Sequence, residues 1–277
     1  MWLKSIRSAS ILLRDPIILL YLKSLMKKIY ILPNLVTTAN LVFGFVSILH
    51  AFRGEYNLAC WFIIFGALCD SVDGRLARMA RATSSFGVQY DSLSDLTSFG
   101  VAPGILLYTF AGTTLDRFGI SATAFYAVCA ALRLARFNVS TDESANSAKA
   151  NKVRKGYFQG LPSPASATLI VTAVLMQSEF NLFGDSIMKY FMMGLSILLA
   201  LLMVSNIPFP SFKEVNWRAR GKVWILLIPV VIILAIIQAP EVTLFAIGYT
   251  YLVLSLFWAV GLYLRDKKQG ATLANQT

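Results

Sequence analysis

The chain has 277 residues, of which 57% are hydrophobic and 14% charged, with a mean hydropathy of +0.64. A soluble domain is about a quarter charged, so the composition excludes an ordinary soluble protein and points to an integral membrane protein. The 25 Lys and Arg against 14 Asp and Glu give a net charge of +11, but the basic residues flank apolar runs instead of forming a stripe on one soluble domain. That placement argues against nucleic acid as a partner.

The first 30 residues carry six Lys and Arg, Pro16 and scattered Ile and Leu. Their apolar run IILLYL is too short for the core of a secretory signal, and no small-residue cleavage site follows. Residues 1–30 are therefore expected to form an amphipathic helix lying on the membrane surface. Beyond them, apolar windows of about 20 residues predict helices near 35–53, 57–79, 88–111, 118–138, 162–178, 186–206, 221–239 and 241–264. The expected fold class is an all-α integral membrane protein with about eight transmembrane helices. The segment 139–156 (VSTDESANSAKANKVRKG) is polar, free of aromatics and expected to be an irregular loop. No internal repeat and no second, soluble domain is visible.

The segments between the helices alternate in charge. Arg75, Arg78 and Arg81 follow the second predicted span; Arg133, Arg136, Lys149, Lys152, Arg154 and Lys155 follow the fourth; Lys213, Arg218, Arg220 and Lys222 follow the sixth; Arg265, Lys267 and Lys268 follow the eighth. The opposite face holds only Arg53, Arg117 and Lys189, so 22 of the 25 basic residues share the side of the N-terminus. By the positive-inside rule that side is the cytoplasm, with both termini in it. Cys60, Cys69 and Cys129 all fall within predicted spans, no CxxC pair exists, and the only histidine is His50. A zinc site and a disulfide framework are therefore not expected.

Four of the 14 acidic residues, Asp70, Asp73, Asp91 and Asp95, lie within 26 positions that run through the second and third predicted spans. A carboxylate inside a membrane costs several kcal/mol unless something compensates it, so such residues default to a functional reading. Asp70, Asp73 and Ala77 stand at i, i+3 and i+7, on one helix face; Gly87, Asp91 and Asp95 stand at i, i+4 and i+8, again on one face. Pairing those faces brings four carboxylates together, which requires cations. The candidate ligands are all oxygen, which suits Mg²⁺, Mn²⁺ or Ca²⁺. Four of them fit two ions about 3.5–4 Å apart, an arrangement that stabilises phosphoryl displacement. Gly74 and Gly87 would let a ligand approach the helix backbones. Arg78, one turn beyond Gly74, could neutralise a diphosphate from the other side. A buried salt-bridge cluster or a cation pathway would also place acids here, but neither accounts for Gly74, Gly87 and Arg78.

The pattern Asp70, Asp73, Gly74, Ala77, Arg78, Gly87, Asp91, Asp95 resembles the signature of the CDP-alcohol phosphotransferases at every fixed position. The segment PNLVTTAN, Pro33 to Asn40, is similar to that family's opening helix, whose threonine region lies near the nucleotide. The resemblance implies a six-helix core, a homodimer, and two divalent ions, Mg or Mn, near the cytoplasmic face. It implies that Asp70, Asp73 and Asp91 hold metal and that Asp95 is both ligand and general base. Gly74, Ala77, Arg78, Gly87 and Thr37 would line the CDP site. An alcohol would attack the lipid-side phosphorus of CDP-diacylglycerol and CMP would leave. The corresponding division of the chain is an interfacial segment at 1–30, a catalytic core at 31–213 and an additional helix pair with a basic tail at 214–277.

The signature leaves the acceptor alcohol open. SDLTSFGVAPGILLY, ALRLARFNV, YFQGLPSPASA and SNIPFPSFK resemble the bacterial and archaeal branch of the family whose acceptor is L-serine. Serine carries a carboxylate, which bidentate arginine would select over choline. Arg133, Arg136 and Asn138 are the candidate acceptor-binding residues, although arginines at such a helix end also anchor spans at lipid headgroups. Glycerol phosphate, inositol phosphate and choline remain alternative acceptors. Pro162, Pro164, Pro208 and Pro210 read as helix punctuation.

Overall fold

The computed structural model describes residues 16–79, 85–146, 157–181, 184–210 and 222–274. Nine α-helices occur among them: α1 (Pro16–Phe52), α2 (Tyr56–Met79), α3 (Ser85–Asp95), α4 (Ala102–Leu107), α5 (Asp116–Asn146), α6 (Ser163–Phe180), α7 (Asp185–Val204), α8 (Lys222–Gln238) and α9 (Pro240–Ala274). π-helical turns at Leu96–Val101 and Tyr108–Gly112 join α3, α4 and the bend before α5 into one rod. All eight expected helical stretches coincide with helix. Five apolar stretches among the described residues are long enough to cross a bilayer: Asn34–Phe52, Tyr56–Arg75, Phe86–Ser140, Ser186–Val204 and Pro240–Gly261.

The longest of these, Phe86–Ser140, is folded back on itself at Thr113–Asp116. Ser92 meets Asn138, Phe99 meets Tyr126, Gly104 meets Thr123 and Gly112 meets Gly119, the pairing of an antiparallel hairpin. A second hairpin joins α1 to α2: the Ser47 hydroxyl donates to the Ala59 carbonyl at 2.8 Å and Thr37 to Asp73 at 3.0 Å. The rod beginning at α3 runs parallel to α1, with Ser94 donating to the Thr37 carbonyl (3.0 Å) and Ser98 to the Asn40 carbonyl (2.9 Å).

Lipid offers no hydrophobic drive between helices, so close packing must come from small residues and interhelical hydrogen bonds. A Cβ on Gly119 would stand 2.2 Å from the Gly112 carbonyl oxygen, and one on Gly44 would stand 2.9 Å from the Ser98 Cα. Pro103 has no N–H to give the Phe99 carbonyl four residues before it, and the Tyr126 hydroxyl, fully buried, donates to that carbonyl at 3.1 Å. The outward faces are apolar: Leu35, Phe45, Leu49 and Phe52 of α1 are exposed, as are Ile187, Leu198 and Leu201 of α7. In water such a surface would aggregate; it fits a bilayer.

The all-α membrane fold stands, with three details added. Of the segment 1–30 expected at the interface, the described part is helix and continues into the first span, as α1 runs unbroken from Pro16 to Phe52; residues 1–15 lie outside the described residues. Of the loop expected over 139–156, the described part, 139–146, is helix, since α5 runs to Asn146; residues 147–156 lie outside the described residues. Lack of apolar residues does not stop a helix once it has left the membrane, because Ser, Glu, Ala and Asn cost only tenths of a kcal/mol each. The all-α reading also omits one feature. Tyr157–Gln159 (β1) pairs antiparallel with Pro208–Pro210 (β2), in the register Tyr157↔Pro210, Phe158↔Phe209, Gln159↔Pro208. The two proline segments, which read as punctuation, are clasped to each other.

Gly160 closes this clasp. Its N–H donates to the Ile207 carbonyl at 2.9 Å, and the following Leu161 N–H to the Leu202 carbonyl at 3.0 Å. Its φ is +78°, and a Cβ there would lie 2.4 Å from the Met203 carbonyl oxygen. Gly160→Ala combines a left-handed backbone with a collision against main chain. The expected loss is about 2 kcal/mol or more, read as a lower melting temperature of the detergent-solubilised protein.

Candidate active site and metal centre

Four helices deliver polar groups to one end of the bundle. From α1 come Thr37, Thr38 and Asn40; from α2, Asp70, Asp73 and Gly74; from α3, Gly87, Tyr90, Asp91 and Asp95; from α5, Arg133 and Asn138. Carboxylate oxygens of Asp70, Asp91 and Asp95 all lie within 4.8 Å of one another, and all three residues are half-buried. The helical spacings explain this convergence, since i, i+4 puts Asp91 and Asp95 on the face of α3 that α2 presents to Asp70.

Asp73 is 3% exposed and stands beside that group, with its Oδ2 accepting from the Thr37 hydroxyl at 3.0 Å. Among the described residues, neither its Oδ1 nor the Oδ1 of Asp91, both buried, has a hydrogen-bond partner. Two buried acceptors left unpaired are costly, about 1–3 kcal/mol each or more when charged. Among the described residues, the only ion pair within 4 Å joins His50 to Glu55, at the opposite end of the bundle. Oxygen donors alone, crowded and unpaired, fit a hard divalent cation and do not fit a thiophilic one.

Among the described residues, a Cβ on Gly74 would meet nothing within 4 Å, so packing among them does not require glycine at this place beside Asp73. Gly87 is half-buried on α3. The side chains of Ala77 and Arg78 lie outside the described residues, although both positions belong to α2.

The three candidate acceptor residues part company. Arg133 faces the carboxylates: its charge acts on Asp95 and Asp70, its Nη1 donates to the Ser163 hydroxyl at 2.7 Å, and its Nε is buried without a partner. Arg136 points to the clasp, donating from Nη2 to Gln159 Oε1 at 2.9 Å, from Nη1 to the Val204 carbonyl at 3.3 Å, and to Asn206. Asn138 is paired with Ser92 on α3, 2.9 Å from Nδ2 to Oγ.

Sequence reasoning missed Asn40, whose Nδ2 donates to Asp95 Oδ1 at 3.2 Å. It also missed Ser163, the partner of Arg133, and the contact of Tyr90 with Thr38 at 2.9 Å. For Asn40 a signal existed, because it stands three residues after Thr37 on the same face of the opening helix.

A known family describes this arrangement. The sequence profile of the CDP-alcohol phosphatidyltransferases matches residues 30–202. The chain belongs to that family. Relatives in the CDP-alcohol phosphatidyltransferase family include a CDP-diacylglycerol–serine O-phosphatidyltransferase from Helicobacter pylori, 38% identical over 192 residues, which covers 69% of this chain and 77% of the relative. The protein of the same description from Mycobacterium leprae is 31% identical over 223 residues, 80% of this chain and 72% of the relative. An archaetidylserine synthase from Methanothermobacter thermautotrophicus is 36% identical over 183 residues, 65% of this chain and 69% of the relative.

Proposed function

We propose that the protein transfers the phosphatidyl group of CDP-diacylglycerol to L-serine, giving phosphatidylserine and CMP. The observation that carries this reading is the convergence of Asp70, Asp91 and Asp95 beside Arg133, in a chain whose similar relatives are described as serine enzymes. Asp70, Asp73, Asp91 and Asp95 would hold the divalent metal, Mg or Mn and two ions in number. When bound, it neutralises charge on the diphosphate and on the departing CMP.

The chain's own residues do the rest. Asp95 accepts the proton of the serine hydroxyl as its oxygen bonds to the lipid-side phosphorus and the bond from that phosphorus to the CMP oxygen breaks. An aliphatic hydroxyl is a poor nucleophile near neutral pH, so it needs such a base within hydrogen-bond reach. Gly74 and Gly87 leave backbone open to the CDP diphosphate, with Ala77, Arg78 and Thr37 along the same site. Arg133, with an unspent buried donor, is the residue best placed to meet the serine carboxylate. Arg136 and Asn138 support the same pocket through the clasp and α3.

We read residues 31–213 as the catalytic core and 214–277 as an added helix pair, with the protein a homodimer in the cytoplasmic membrane. The basic excess puts the termini and the site on the cytoplasmic side, where free serine and CMP exchange with water while the diacylglycerol part stays among the membrane lipids.

Membranes containing the protein, given radiolabelled serine, CDP-diacylglycerol and Mn²⁺ or Mg²⁺, are expected to yield labelled phosphatidylserine and one CMP per lipid. Product only with glycerol phosphate, inositol phosphate or choline would overturn the serine assignment.

A further inference from the structure

We propose that Asn40 is a positioning residue for this transfer: its amide holds the Asp95 carboxylate in one orientation, and Gly66 leaves the space the amide needs. The inference rests on the reaction proposed above and adds to it a residue outside the aspartate signature.

Asn40 is fully buried in α1, and among the described residues its side chain makes one hydrogen bond, from Nδ2 to Asp95 Oδ1 at 3.2 Å. The amide can stand only this way round, because its oxygen turned toward a carboxylate would set two acceptors together. The Asn40 Oδ1 is then left buried with no partner. Leucine has the same branched skeleton of four side-chain heavy atoms and no polar atom to leave unpaired, so burial alone does not explain an amide here. The bond to Asp95 does.

The surroundings fix the amide on two further sides. Ser98, on the π-helical turn immediately after Asp95, donates to the Asn40 carbonyl at 2.9 Å, so the two backbones that carry the pair are tied together. On α2, one turn before Asp70, a Cβ on Gly66 would lie 2.9 Å from Asn40 Oδ1. That contact is closer than side chains tolerate, so any larger residue at position 66 pushes the amide off its place. Held at Oδ1 by Asn40, the Asp95 carboxylate keeps one orientation for the two roles given to it above, metal ligand and base. A base held in one orientation by a neighbour loses less to misaligned states.

The experiment compares the purified full-length protein with its Asn40→Leu, Gly66→Ala and doubly substituted variants, measuring kcat, both KM values and CMP binding. Asn40→Leu is expected to lower kcat about tenfold or more, with both KM values and CMP affinity within about twofold of the parent protein. Gly66→Ala should lower kcat in the same pattern, and should add nothing in the Asn40→Leu background, because both act through one amide. Retained kcat in Asn40→Leu, a loss that appears in KM instead, or effects that multiply in the double variant would each overturn the proposal. If Asn40→Leu no longer binds CMP, Gly66→Ala decides alone, and unchanged kcat there overturns it. A parent protein that makes no phosphatidylserine in the same assay would instead sink the reaction on which the inference rests.

Discussion

Asp95→Asn is expected to abolish phosphatidyl transfer while leaving CMP binding in place. The substitution keeps the shape of the side chain, and its carbonyl oxygen can still accept from Asn40 Nδ2, 3.2 Å away in the native protein. What disappears is the capacity to take a proton from the attacking hydroxyl, together with one anionic metal donor, so both measurements are made at saturating Mn²⁺. Positioned general bases contribute about 10²–10⁴-fold to such steps, or about 3–5 kcal/mol of barrier. The loss should therefore fall on kcat. The measurement is steady-state release of CMP, alongside CMP binding to the same preparation. A variant that turns over within a factor of about ten of the native protein would remove Asp95 from the role of base.

Removing the divalent cation should have an effect as large. In its absence the three carboxylates whose oxygens lie within 4.8 Å of one another repel each other and any incoming diphosphate. Treatment with a chelator is expected to stop turnover, and Mn²⁺ or Mg²⁺ to restore it. Asp70→Asn and Asp91→Asn each remove one anionic donor and should raise the half-saturating Mn²⁺ concentration about tenfold or more. Direct Mn²⁺ binding, followed by electron paramagnetic resonance, checks this without reference to turnover. Full activity in chelator, or unchanged Mn²⁺ binding in both variants, would count against a metal at these aspartates.

How much of this could be read from the chain depends on what kind of cost each residue carries. Asp70, Asp73, Asp91 and Asp95 were legible because an acid in an apolar span is expensive wherever it points, and helical spacing alone sorts them onto two faces. Helix positions were legible for a similar reason, since apolar length is a local property. Asn40 was not, because a single amide in a span is cheap enough to pass as filler and its importance lies in a partner 55 positions away. The difference between Arg133 and Arg136 was equally hidden. Both stand in the second half of α5, one turn apart, and only the packing of α6 and α7 sends one toward the carboxylates and the other toward Gln159 and Asn206. The β1–β2 clasp was obscured by its prolines, whose usual meaning at helix ends outweighed the alternation of apolar residue and proline in IPFP. Gly160 carried a hint, since a glycine before LPSP suits a positive φ, but nothing local says what it is turned against.

The turns at the end of the bundle away from the aspartates are short and closed by left-handed residues: Gly54 between α1 and α2, Asp116 before α5, and Asn181 after α6. The clasp lies at the other end, within the connections from Asn146 to Ser163 and from Val204 to Lys222. The four aspartates sit on α2 and α3, with Thr37 and Asn40 on α1, before either of those connections begins. The aspartates and the clasp are thus written in different stretches of the polypeptide. A change confined to the two clasped segments would leave the hairpins that carry the aspartates with the sequence they have.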